Sequence, residues 1–146
     1  RQGWDCREGG HPYDDPNGDQ NTTCPADPVA AFVDPVLEYT QESGRCSVTG
    51  LMARELLRAS HLKPWRNSTN TERLDVYNGL LLAPNLDTTL DVGLVSFTDD
   101  GQILISSQLP REARGTLGIH DSLRLAKVER RHTAYLTYHR EYVFRE

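Results

Sequence analysis

Apolar positions along the chain change their spacing repeatedly, and each change marks an element. Val29, Phe32, Val33, Val36 and Leu37 recur at helical intervals. Pro35 lacks the amide that an interior helical bond needs, so this helix kinks there or restarts with Asp34 as its cap. Gly44 stops it. Arg45 to Gly50 predicts a short strand ending in a turn, and Met52 to Leu62 runs into a strand that carries His61. The apolar run breaks at Lys63-Pro64-Trp65, and about a dozen polar residues follow before Asn78-Gly79 turns into a second strand, Leu80-Leu81-Leu82. Asp87 and Asp91 come next, four positions apart, a separation that a helix places on one face, one turn apart. Two β-rich runs around Asp99-Asp100-Gly101, from Leu94 to Ser106, predict a hairpin. Leu109 to Glu112 begins a short helix that ends near Gly115 to Gly118. From Arg130 to Phe144, the positions of Tyr135, Leu136, His139, Tyr142 and Val143 predict a closing amphipathic helix. The class expected is α+β.

Residues 1 to about 28 show no such period. Gly, Pro, Asp and Asn dominate there, so the chain divides into an irregular acidic arm over 1–28 and a folded domain over 29–146. At 146 residues, one domain has length enough for a real core. The net charge of −5 speaks against a nucleic-acid partner until its distribution is considered. Nine acids stand against two bases up to Gly44, which leaves the remainder mildly basic. No apolar run approaches the ~18 residues of a membrane helix. Arg1-Gln2-Gly3-Trp4 has no initiator Met and no apolar signal core, so a fragment of a longer protein is expected and no targeting is read from it. The setting expected is cytoplasmic.

Cys6, Cys24 and Cys46 exclude a CxxC zinc knuckle by their spacing. Cys6 and Cys24 pair only if the chain is exported, and idle thiols are the commoner case. Asn21-Thr22-Thr23 and Asn67-Ser68-Thr69 fit the glycosylation sequon, which has meaning only in a secreted eukaryotic protein. His11, Asp14 and Asp15 read as solvated turn residues rather than a metal site. The basic run Lys127, Arg130, Arg131 and His132 reads as a solvated helix face, with DNA contact as the alternative. Taken singly, His61 is a core histidine, Asp87 a helix cap and Asn78-Gly79 a turn. Taken together, a His-bearing strand, a loop, an Asn-Gly turn and a helix with two carboxylates form a one-metal hydrolytic site.

With these segments in view, the chain from Arg45 onward resembles the HNH endonucleases, and within them the branch found as nuclease modules of bacterial restriction enzymes. The resemblance rests on Arg45-Cys46-Ser47-Val48-Thr49-Gly50, Ala59-Ser60-His61-Leu62-Lys63-Pro64-Trp65, Glu72-Arg73-Leu74-Asp75, Asn78-Gly79-Leu80-Leu81-Leu82, Asp91-Val92-Gly93-Leu94-Val95-Ser96-Phe97 and Tyr135-Leu136-Thr137-Tyr138-His139-Arg140-Glu141. It implies a ββα-metal core with an added hairpin and flanking helices. It also implies a DNA endonuclease that leaves 5′-phosphate ends, in restriction or another defence role. By the same resemblance, His61 is the general base and Asn78 the central asparagine, and a backbone carbonyl or Asn78 would fix the tautomer of His61. Asp87 and Asp91 stand at helix positions that are often histidines in the family. Two carboxylates favour one divalent cation of the Mg²⁺ or Mn²⁺ type. Lys63, Arg66 and Arg73 lie near enough in sequence to contact DNA phosphates. The resemblance has two departures. Ser60 stands where many HNH sites carry an acid or histidine, which thins the metal shell, and Leu90 stands where an aromatic is expected. The alternatives are a binding or assembly module that keeps the fold without activity, and a nicking or homing-type nuclease. A homodimer would let two sites address both strands.

Overall fold

The computed structural model describes residues 44–146. The acidic arm, the helix around Asp34-Pro35, the His11, Asp14 and Asp15 turns, the Asn21 sequon, and Cys6 and Cys24 all lie outside the described residues. Within them, the first hairpin pairs β1 (Arg58–His61) with β2 (Gly79–Leu82) in antiparallel register, Arg58 opposite Leu82 and His61 opposite Gly79. The long excursion between the strands holds a 3-10 turn at Trp65–Asn67, the helix α1 (Asn70–Leu74) and a second 3-10 turn at Val76–Asn78. A helix, α2 (Pro84–Asp91), follows β2 directly. Pro84 begins it, at a position where the missing amide costs no helical bond.

The second hairpin pairs β3 (Val95–Phe97) with β4 (Ile103–Ile105). Its turn is closed by Gly101, whose positive φ of 82° and close approach to Val128 leave no room for a side chain. The helix α3 (Arg111–Leu117) and a 3-10 turn at Arg130–His132 lead to the closing helix α4 (Thr133–Tyr142). The mixture of helices and small antiparallel sheets is an α+β fold.

A single apolar core joins these pieces. All four residues of β2 are buried, as are Leu62, Leu86, Leu90, Val95, Phe97 and Leu136. Burying a leucine or phenylalanine of this kind contributes about 1.5–3 kcal/mol. α2 lies against both β1 and β3, and α4 packs on β3. Gly93 marks the crossing of the chain's last residues over the end of α2. A side chain there would collide with the carbonyl oxygen of Val143, and the Gly93 carbonyl accepts from the Arg145 amide at 2.8 Å.

Three expectations need correction. Arg45 to Gly50 is a turn, closed by hydrogen bonds from the Cys46 amide to Leu51 O and from the Gly50 amide to Cys46 O. Cys46 is buried, and its Sγ accepts from the Ala83 and Thr49 amides, so the thiol anchors the turn beside β2. The apolar run from Met52 does not extend the strand, since β1 begins only at Arg58 and Met52 and Leu56 are exposed. Tyr142 does not belong to the buried face of α4. It is 71% exposed, and its ring rests on Tyr138.

α4 is tied to the rest of the fold by a buried histidine. His139 Nε2 donates to the Leu90 carbonyl at 3.0 Å and Nδ1 meets Ser96 Oγ at 2.8 Å, so the neutral ring has a partner on both nitrogens. Arg140 beside it donates to Phe97 O and pairs with Asp99 at 2.9 Å. Burial pushes His139 below the ordinary histidine range, and burial likewise lowers His132. The unfolded chain therefore binds more protons than the folded one below about pH 6.5. Stability is complete above that value and is lost as pH falls through it. The expected slope approaches about 1.4 kcal/mol per pH unit for each ring. Urea midpoints across the acid range test this, and a midpoint that does not fall below about pH 6 would refute it.

Candidate active site

β1 delivers two neighbouring side chains to different partners, as strand alternation requires. Ser60 is buried, and its hydroxyl donates to Asp87 Oδ1 in the first turn of α2. His61, half-buried at the strand's end, instead meets the excursion between the strands, where its Nε2 lies 3.0 Å from the Arg73 carbonyl oxygen. A carbonyl only accepts, so Nε2 carries the proton and Nδ1 is the basic nitrogen. The Trp65 ring stands edge-on to the imidazole at 5.4 Å.

The loop that supplies this carbonyl is held from inside. Asn78 is fully buried at its far end. Its Oδ1 accepts from the Lys63 amide at 2.8 Å, and its Nδ2 donates to the Glu72 carbonyl at 2.9 Å, with longer contacts to Lys63 O and Ser68 Oγ. Asn78 thus joins the loop's start, middle and end, while the Arg73 carbonyl fixes the tautomer of His61. Thr69 and Glu72 form a capping box on α1. Burial acts to raise the Glu72 carboxyl, but the Lys63 ammonium at 2.8 Å and the Thr69 hydrogen bonds outweigh it and hold Glu72 below its ordinary value.

The expected DNA contacts divide accordingly. Arg66 is exposed. Arg73 is buried, donating to Trp65 O at 3.1 Å and Asn70 Oδ1 at 2.8 Å with its guanidinium over the Trp65 ring. Lys63 is engaged by Glu72 and lies over the Tyr138 ring. Arg73 and Lys63 therefore build the loop. In the basic run before α4, His132 is not a solvated residue, because its ring is buried and its Nδ1 accepts from the Glu129 amide at 2.9 Å.

Asp87 is buried beneath β1, whereas Asp91, in the last turn of the same helix, is exposed. Among the described residues no group of three or more His, Cys, Asp or Glu side chains is placed to hold a metal by itself. Among the described residues, α2 carries the carboxylates of Asp87 and Asp91, with the Ser60 hydroxyl beside the first.

The sequence placed Glu72, Asp75 and Tyr135 in motifs but assigned them no role in the site. Glu72 was accessible through the pattern Thr69-x-x-Glu72. Asp75 and Tyr135, which share a hydrogen bond across 60 positions, leave no local signal. No helix of the described residues is long and apolar enough to cross a membrane.

Residues 46–98 match the model of a family described as HNH endonuclease, and that span contains both strands of the first hairpin, the loop, α2 and β3. No curated protein matches the chain. The family is one of nucleases that act on DNA. The segment that holds His61, Asn78, Asp87 and Asp91 is thus similar to the HNH endonucleases.

Proposed function

We propose that this chain is a metal-dependent DNA endonuclease that hydrolyses phosphodiester bonds, in restriction or another defence role, with His61 as its general base. The observation that carries the proposal is the hydrogen bond from His61 Nε2 to the Arg73 carbonyl. With Nε2 holding a proton toward that carbonyl, the neutral ring would have Nδ1 as its basic nitrogen, as proton abstraction from water requires. Nδ1 takes a proton from water as its oxygen attacks phosphorus. The bond to the 3′ oxygen breaks, that oxygen leaves with a proton from solvent, and the phosphate remains on the 5′ end. Asp87, with Asp91 a turn further along α2, would hold the cation of the ββα unit formed by β1, β2 and α2. When bound, Mg²⁺ or Mn²⁺ supplies charge neutralisation at the phosphate. Exposed Arg66 would contact a neighbouring phosphate, an attraction that weakens with salt.

A second reading, an HNH fold that binds DNA without cutting it, draws support from Ser60, whose hydroxyl occupies one oxygen of Asp87 where a further ligand is common. Cleavage of supercoiled plasmid separates the two. The expected result is nicked or linear product in Mg²⁺ or Mn²⁺ and none in EDTA, with Asp87→Asn shifting the metal titration at least about tenfold, the loss of one charge-assisted contact. A folded protein that binds DNA and cuts nothing in either metal would overturn the nuclease reading.

A further inference from the structure

We propose that Asp75 and Tyr135 form a latch through which the C-terminal helix sets the orientation of His61. The proposal deepens the nuclease reading above and rests on it for its consequence in catalysis. It does not rest on it for its geometry.

If α1 continued, the amide of Tyr77 would bond to the carbonyl of Arg73, four residues earlier. Here the Asp75 carboxylate takes that amide instead, with Oδ1 accepting from Tyr77 N at 3.0 Å. The Asp75 amide in turn closes the last turn of α1 onto Glu72 O at 3.3 Å. The helix stops at Leu74, a 3-10 turn begins, and the Arg73 carbonyl is left to meet His61. Asp75 is thus the side chain that turns a helical acceptor into the partner of the base.

The second oxygen of Asp75 is held from outside the loop. Oδ2 accepts from the Tyr135 hydroxyl at 2.9 Å, and Arg131 approaches Oδ1 at 3.7 Å while its guanidinium lies over the Tyr77 ring at 4.0 Å. Burial first, and then the hydrogen bond to Asp75, raise the Tyr135 hydroxyl above the ordinary tyrosine range, so it remains a donor at any working pH. Tyr135 and Arg131 lie outside the segment that matches the family model, on the first turn of α4 and the 3-10 turn before it. A cleft of about 400 Å³ lies beside the Asp75–Tyr135 bond, lined by Lys63, Glu72 and Asp75 of the loop and by Arg131, Tyr135 and Tyr138. Tyr135 touches no reacting group, so it is a positioning residue, acting through Asp75 and the Arg73 carbonyl.

The test uses the full chain and reads the His61 ring directly by ¹⁵N NMR, with plasmid cleavage measured alongside. Wild type should show the Nε2–H tautomer. Tyr135→Phe keeps the ring and removes the hydroxyl; it should give a mixture of tautomers and lower kcat by about 3- to 10-fold with KM for DNA unchanged, the loss of one hydrogen bond. Tyr138→Phe, which deletes a hydroxyl from the next turn of the same helix, should leave both readings as in wild type. If Tyr135→Phe does not fold, Asp75→Ser, whose shorter hydroxyl can still accept from Tyr77 N but gives up the second oxygen that Tyr135 holds, carries the same comparison. A folded variant whose His61 tautomer matches wild type overturns the latch, even where wild type cuts DNA. A tautomer that shifts while no form of the protein cuts DNA upholds the latch and removes the nuclease reading.

Discussion

His61→Ala is expected to lower plasmid cleavage by about 10² to 10⁴-fold, the usual contribution of a positioned general base, while leaving DNA binding and folding nearly intact. The two halves of that expectation come from the same geometry. His61 is only half-buried, and the group that its removal exposes, the Arg73 carbonyl, lies where water can replace the imidazole. The stability cost is therefore confined to a hydrogen bond worth about 1 kcal/mol and an edge contact with Trp65. The catalytic loss is several times larger, about 3–5 kcal/mol of transition-state stabilisation. A variant that bound DNA as wild type does and still cut it within tenfold would remove His61 as the base. The pH profile offers a second check. Wild type should lose activity as the pH falls and the imidazole protonates, and the residual activity of the alanine variant should lack that limb.

Much of the fold around the candidate site was legible in the chain because its signals are local. The break at Lys63-Pro64, the Asn-Gly entry to β2 and the i,i+4 aspartates each depend on a few neighbouring residues, and each marks a boundary that the fold keeps. The hairpin around Asp99-Asp100-Gly101 was legible for the same reason. The errors came where tertiary contacts decide. Arg45 to Gly50 has strand composition but closes as a turn because the Cys46 thiol binds an amide 37 positions away. Arg73 looks like a phosphate contact from its position in a polar loop, yet its guanidinium is the loop's interior. The tautomer of His61 could be assigned to a carbonyl or to Asn78 from sequence, and only the path of α1 places a carbonyl there. Charge and spacing name the residues of such a site, but which of them touch substrate and which hold the loop depends on burial.

Asn78→Ala should do more damage than any of the other loop substitutions, and to both stability and activity. Asn78 has no exposed surface, so the groups that it serves cannot turn to solvent when it is removed. The Lys63 amide loses its acceptor and the Glu72 carbonyl its donor, and each orphan costs about 1–3 kcal/mol. The sum, about 2–6 kcal/mol, is a large part of what a domain of this size has to spare. Urea unfolding should register that loss. Cleavage should fall as well under conditions where the variant stays folded, because Glu72 lies one residue from Arg73 and movement there displaces the carbonyl that orients His61. Asn78→Asp separates the two sides of the amide. It keeps an acceptor for Lys63 N but sets a second acceptor against the Glu72 carbonyl, so at neutral pH it should be at least as unstable as the alanine. At acid pH a protonated carboxyl regains the donor, and the gap between the two variants should narrow or reverse. An Asn78→Ala protein that unfolds within about 0.5 kcal/mol of wild type and cuts DNA normally would mean that the loop holds His61 without its central tie.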